Sequence, residues 1–418
     1  MPAPMDVLPV WELNLAGGND SNSTDQRHLE IILHLEWYFF RCGLQNEGIT
    51  QTVIPMNVQF VKQMSASPEK QGRKVKSSMS KAYDAIIVVS FGGPEGPEDV
   101  IPFLENVLRG KNVPRERMLE VAEHYQHFGG VSPINDQNRA LIRALEQELA
   151  EQGPQLPIYW GNRNWDPLLV ETLAQMKGDG IKRALAFFTS TFSSYSGCRQ
   201  YREDIQRAQD EVGAGAPEVD KLRVFFNHPG FIEATVSRTE EALSQIPEER
   251  RGQATILYSA HSIPTVMAAG CRYEAQLQES SRLVSERLGE HPWHLVYQSR
   301  SGPPHQPWLE PDICDFIREL GATGEVKDLV IVPIGFVSDH MEVLFDLDTE
   351  AKDVCQELGI NLVRAKTVGV HPRFIRMIRE LIEERISGTS DRPALGKMGA
   401  SHDICPVDCC LRTTEKPR

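Results

Sequence analysis

From Tyr83 onward, apolar runs of strand length alternate with amphipathic stretches of helical length. Strands are expected at 84–90, 156–160, 183–189, 222–226, 254–260, 293–298 and 328–334. Helical patterns fall between them, at 97–108, 135–152, 167–178, 198–212, 230–244, 274–288 and 310–320, and a last amphipathic helix at 372–386. Near-continuous apolar strands separated by helices are the signature of parallel sheets covered on both faces. The expected fold is therefore α/β, with two Rossmann-like domains of parallel strands over 82–192 and 193–387 and an active-site cleft between them. A cysteine-containing tail follows at 388–418.

Residues 1–80 show no sustained period, and 64–81 are rich in Ser, Lys, Gln and Gly, a linker composition. Met79 opens a short polar lead into the first strand, so 1–80 is read as a disordered extension or a start placed too early; a small docking helix at 28–42 is the alternative. With 40% hydrophobic residues, the 418-residue chain can bury two ordinary α/β cores. A net charge of −14 argues against nucleic acid or an anionic membrane as partner. The apolar run at 29–42 is broken by Glu30, His34, Glu36 and Arg41, too short and too charged to span a bilayer. It also lacks the basic start and small-residue cleavage site of a signal peptide. Eight cysteines spread over such a length do not make a secreted disulfide framework, which points to the cytoplasm.

Ligands of open parallel sheets sit outside the carboxyl ends of the strands. The strand near 254–260 delivers His261 there, and the strand near 328–334 delivers Asp339, His340 and Glu342. A helix starting near Ser338 places Glu342, Asp346 and Glu350 at i, i+4 and i+8, on one face, with Asp339 one turn earlier. Such a ladder suits a hydrated Mg²⁺ or Mn²⁺, while the imidazole suits Fe, Zn or Ni. Each element also has a plain reading, a structural histidine and an acidic outer face. Convergence of the two strand ends favours metal handling. Gly92, Gly93 and Gly96 after the first strand lack dinucleotide spacing, and Pro94 and Pro97 remove two amide donors. They are read as letting the backbone approach a flat macrocycle.

Several segments resemble the signature segments of ferrochelatases: Ser-Ala-His-Ser-Ile-Pro (259–264), Gly-Phe-Val-Ser-Asp-His-Met-Glu-Val-Leu-Phe-Asp (335–346) and Phe-Gly-Gly-Val-Ser-Pro-Ile (128–134). Ser-Phe-Gly-Gly-Pro-Glu-Gly-Pro (90–97), Gln-Ser-Arg-Ser-Gly-Pro-Pro (298–304) and Pro-Trp-Leu-Glu-Pro-Asp (307–312) join them, in family order from about Tyr83 to Ile386. The resemblance implies insertion of Fe²⁺, as substrate, into a porphyrin. Ser-Ser-Tyr-Ser-Gly-Cys-Arg-Gln-Tyr (193–201) is most similar to the actinobacterial branch and so implies coproporphyrin III, with protoporphyrin IX the other candidate. It implies His261 and Glu342 as catalytic and metal-contacting residues, Asp346 and Glu350 as further metal sites, and Ser132, Tyr201, Tyr125 and Arg109 as porphyrin contacts. Their plain readings are an N-cap serine, core tyrosines and an exposed arginine. Phe91 stands where some relatives carry an iron-binding Tyr, so no axial ligand is expected there. Transient handover of product to the next haem-pathway enzyme is a further expectation. A cobalt or nickel chelatase of the same superfamily and a non-catalytic haem or metal carrier remain the alternatives; a carrier needs neither base nor cation path.

Cys405, Cys409 and Cys410 form a Cys-x-x-x-Cys-Cys tail after a Pro/Gly-rich linker at 388–399. Some ferrochelatases hold a [2Fe–2S] cluster with three C-terminal cysteines and one from the body, and the resemblance implies such a cluster here with Cys198 as the body ligand. Adjacent Cys409 and Cys410 strain ligation of one iron, so unligated thiols are the alternative.

Overall fold

Strand β1 (Ala85–Ser90) is buried at every residue and alternates between two cores. Ile86 and Val88 face the central core, while Ala85, Ile87 and Val89 face an outer layer of helices. That two-sided burial is what a continuous apolar run achieves in a parallel sheet. The computed structural model describes residues 82–412 except 112 and 303–304; the expected extension at 1–80 and docking helix at 28–42 lie outside them.

The first sheet runs β2 (Ile158–Asn162), β1, β3 (Arg183–Phe188), β4 (Glu218–Lys221), all parallel. The second repeats the order with β6 (Trp293–Gln298), β5 (Thr255–His261), β7 (Asp328–Val332) and β8 (Asn361–Arg364). In each sheet the chain first steps to one side and then to the other, so a switch point lies beside the first strand, between β1 and β3 and between β5 and β7. Ligand crevices of open parallel sheets form at such points, outside the carboxyl ends of the strands. One continuous core joins both sheets, from Ile86 and Phe187 to Ile256, Tyr258 and Val330.

The helices that matter to the site are α1 (Val100–Leu108), α2 (Arg115–His127), α3 (Ile134–Gln152), α4 (Gln200–Val212), α5 (Pro229–Leu243), α6 (Tyr273–Leu288), α7 (Ile313–Thr323), α8 (Met341–Phe345), α9 (Ala351–Glu357) and α10 (Pro372–Ser387). Phe103, Leu104, Met118 and Ala122 make α1 and α2 a separate small cap with its own core. Among the described residues no helix is long and apolar enough to cross a membrane.

Three expectations need correction, and two of these elements were not expected at all. The fourth strand is Glu218–Lys221, not 222–226, which is a buried segment leading to α5. The chain changes sheet between Lys221 and Thr255, later than the boundary expected at 192 and 193. Strand β8, only Asn361–Arg364, is too short to show a period, and helix α2 carries too many charged residues to show a clean one, so neither was expected. The acidic helix is not regular: a π-helical turn, Asp346–Glu350, separates α8 from α9.

Candidate active site

Strand β5 ends in His261, and its ring is oriented by its own neighbour. The Nδ1 atom donates to the Ser262 carbonyl, since a carbonyl can only accept. The proton is thereby held on Nδ1, and the Nε2 lone pair points to Glu342 Oε2 at 3.6 Å. Two acceptors facing each other at that distance need a proton or a cation between them. Metal–nitrogen and metal–oxygen bonds of about 2.0–2.2 Å would let both contact one ion.

The path from β7 to Glu342 explains the meeting. After Val332 the chain crosses the end of β5, where the Gly335 amide donates to Ser259 O at 3.0 Å. A Cβ on Gly335 would lie 2.8 Å from Ala260 Cα, so the crossing requires glycine. His340 then caps α8, its Nδ1 accepting the Val343 amide at 3.3 Å. Desolvation lowers the His340 pKa, with Glu342 opposing and His261 assisting, which shows the three groups sharing one small region.

Asp346 is tied inward rather than aligned along a wet face. Its Oδ2 accepts from Ser299 Oγ and from Gln298 Nε2 at 3.4 Å. Gln298 is turned that way because Ser259 Oγ holds its carbonyl, and Ser299 adopts φ +63°, a strained conformation for serine. Burial, with added repulsion from Glu342 and Glu350, raises Asp346 to about 8. Glu350 is also raised, by burial and by Asp312. The three carboxylates expected on one face do meet, but the middle one is protonated near neutrality, because the π-turn directs it into the body. Asp339 leaves the group, ion-paired with Arg364 at 3.0 Å and bonded by Gln137.

The first sheet supplies the opposite wall. The Arg163 guanidinium, just past β2, is buried against Asp204 and lies over the rings of Tyr201 at 4.4 Å and Phe91 at 5.7 Å. Tyr201 is buried and packs on Phe188 at 4.9 Å. Burial raises the Tyr125 phenol, and Glu342 adds to it, so this side chain from α2 faces the acidic pair. Ser132 is buried beneath Gly93, where a Cβ would lie 2.7 Å from Ser132 Cβ and Ile134. Gly93 is thus required by the protein's own packing. Ser132 does not cap α3; Pro133 holds that position without a side-chain bond. Arg109 is exposed and bonded to Asn106 Oδ1 at 2.5 Å.

Arg163 went unnoticed in the sequence, although the strand-end rule that found His261 points to it equally. Loss of hydration lowers Lys111, and Arg163 and Arg412 push it the same way while Glu342 opposes. Three cations therefore gather at one edge of the cleft. Nothing local in the sequence announces that grouping.

The tail thiols converge beside the π-helical turn Tyr195–Arg199 that leads into α4. Cys198 is buried and shares a hydrogen bond with Cys405; that bond, aided by Lys221, Arg202 and His402 against the effect of burial, holds Cys405 well below the usual thiol range. Cys409 Sγ lies 3.6 Å from Cys410 Sγ. Cys410 is buried with φ +53°. The linker expected to be flexible is docked: Asn227 bonds Leu395 O and Gly399 O, both at 3.0 Å, and Arg223 bonds Pro393 O at 2.9 Å.

A family model described as Ferrochelatase matches residues 83–386. A ferrochelatase of Rhodopirellula baltica is 61% identical over 335 residues, covering 80% of this chain and 95% of its own. The coproporphyrin III ferrochelatase of Streptomyces coelicolor is 53% identical over 357 residues, with 80% and 95% covered. That of Nocardia farcinica is 48% identical over 341 residues, covering 79% of this chain and 97% of its own.

Proposed function

The chain belongs to the ferrochelatase family, and from that premise we propose that it inserts Fe²⁺ into coproporphyrin III to give coprohaem. It is a lyase-type metal chelatase acting in haem synthesis. One observation carries the assignment of roles: the His261 Nε2 lone pair facing Glu342 at 3.6 Å with its tautomer held from behind. Metallation exchanges two pyrrole protons for one dication. His261 Nε2 accepts a pyrrole proton, and Glu342 stabilises the imidazolium formed. The His261 side chain, 32% exposed, returns that proton to water and then accepts the second pyrrole proton. Iron reaches the ring as protons leave, with Asp346 and Glu350 as further oxygen donors behind Glu342. Gripping the macrocycle out of plane would aim the nitrogen lone pairs at the metal, using binding energy from the ring's periphery.

Coproporphyrin III carries four propionates and protoporphyrin IX two. The cation grouping of Arg163, Lys111 and Arg412 at one cleft edge supports the more acidic substrate, as do the names of the Streptomyces and Nocardia relatives. Ser132, Tyr201 and Tyr125 line the ring, and Arg109 reaches a propionate at the rim once its bond to Asn106 is released. Phe91 supports ring stacking without an axial ligand. Matched anaerobic assays test the choice: kcat/KM should be higher for coproporphyrin III, and a higher value for protoporphyrin IX would reverse it.

We also propose that the tail thiols bind metal. Cys198, Cys405, Cys409 and Cys410 are the four thiols available to a [2Fe–2S] cluster, Cys198 being hydrogen-bonded to Cys405 and Cys409 Sγ lying 3.6 Å from Cys410 Sγ. The cluster would supply a cross-link between tail and body. Iron and inorganic sulfide in equal amounts in anaerobically purified protein would support it; colourless, sulfide-free protein would not. Free thiols at these positions favour a cytoplasmic setting, where coprohaem would pass to the next enzyme of the pathway.

A further inference from the structure

Beside the docked tail, Cys198 neighbours Cys405 and Cys410 neighbours Cys409, and one further donor, His402, joins the thiols. Its Nε2 lies 3.7 Å from Cys409 Sγ, and the ligand atoms of His402, Cys405 and Cys409 all lie within 4.8 Å of one another. Nitrogen and sulfur bound tetrahedrally to one ion, at metal–nitrogen and metal–sulfur lengths of ~2.0 and ~2.3 Å, stand roughly 3.5 Å apart. His402 and Cys409, at 3.7 Å, are already close to that separation.

A second observation is independent of the thiols. The residues on either side of His402 are held by one guanidinium: Arg392 bonds Ser401 O at 2.5 Å and Asp403 Oδ1 at 3.0 Å. Arg392 is itself anchored on Glu384 at 2.9 Å, and Glu384 on the buried Arg223. An exposed tail histidine with no task would not need its backbone fixed from both sides. The chain of ion pairs, running from the body's core to residues 401 and 403, sets the imidazole over the thiols.

We propose that His402 is a metal ligand, so that the tail holds a thiophilic metal in a mixed imidazole–thiolate site built on His402, Cys405 and Cys409, with Cys410 outside the donor set. This rests on the reading that the tail thiols bind metal, and it changes which residues do so. Imidazole and thiolate together suit Zn²⁺ or iron. In an iron–sulfur site, imidazole in place of thiolate raises the reduction potential.

Full-length protein stripped of metal and titrated with Co²⁺ tests the donor set. Wild type should develop the intense near-ultraviolet absorption of thiolate-bound cobalt, which the sulfur-free His261–Glu342 pair does not produce. His402→Ala should weaken binding read at that band by at least roughly tenfold and shift the visible bands. His402→Cys should restore affinity with an all-sulfur spectrum, and Cys410→Ser should change neither affinity nor spectrum. Unchanged binding in His402→Ala overturns the proposal; if Cys410→Ser then weakens it, Cys410 is the ligand and metal binding by the tail stands. Absence of the thiolate band from wild type would instead defeat the tail-binding reading itself.

Discussion

The His124 ring lies flat on Phe345, centroids 3.7 Å apart and planes 8° from parallel. His124 sits on α2 of the cap and Phe345 ends α8, three residues after Glu342, so the stack joins the two walls of the cleft. A porphyrin entering the cleft at this edge would meet this ring pair. Phe345→Ala should raise the porphyrin KM several-fold while leaving kcat within about twofold, and cost about 1 kcal/mol of stability from the lost ring pair. Steady-state kinetics and thermal melts check both; a kcat loss with unchanged KM would count against a role in substrate holding.

His261→Ala should reduce turnover by roughly 10²–10⁴-fold, the usual weight of a general base. The fold should survive, because the bond that the body makes to this residue, from the Tyr273 hydroxyl, goes to the His261 backbone carbonyl at 3.0 Å. Glu342→Gln should fall into the same range. Near wild-type turnover in either variant would remove it from the chemistry.

As the proposed iron donor, Asp346 would bind metal as a carboxylate, yet its folded pKa is raised from 3.8 to about 8. Below that value a proton competes with the cation. The iron KM of wild type should therefore fall as pH rises towards 8, and Asp346→Asn should flatten the profile and hold KM several-fold high. Anaerobic kinetics across this range decide it; an unaltered slope in the variant would exclude Asp346 from iron handling.

His228 caps α5, its Nδ1 accepting the Gly230 amide at 3.1 Å, and burial lowers its pKa from 6.5 to about 4. The unfolded chain binds more protons between those values, so stability falls as pH drops from 6.5 towards 4. The full contribution is about 3 kcal/mol. His228→Asn keeps a capping acceptor without the titration. Denaturant melts of the variant should show a shallower loss on acidification; equal slopes would refute the assignment.

Glu384 is buried and shared by Arg223 and Arg392. Its loss leaves the buried Arg223 guanidinium uncompensated and Arg392 with Asp403 as its remaining carboxylate partner, and should cost about 3–5 kcal/mol. Glu384→Gln should also expose residues 388–400 to protease before the body unfolds. Simultaneous cleavage of body and tail would show that the linker is held by something else.

Much of this protein was legible in its residues one segment at a time. Period and apolar run length are local properties, so they marked six of the eight strands and the parallel character of the sheets, and the strand-end rule marked His261 and Glu342. What escaped was mostly charged or irregular. Strand β8 and helix α2 are held by tertiary packing rather than by pattern, and β4 lies just ahead of the expected position because its polar residues pair with β3 while the apolar ones after it fill the core.

The sequence by itself determined the family, the doubly wound architecture and the residue types available for proton and metal chemistry, because side-chain period and short motifs are written into neighbouring positions. Only the tertiary structure decided what those residues experience. The tautomer of His261, the protonation of Asp346 and the partner of Arg163 depend on groups brought from distant segments. The same holds for His402, whose approach to Cys409 is set by ion pairs rooted at Arg223, far away in the chain. Electrostatic environment is a property of packing, and packing joins residues that the chain order keeps apart.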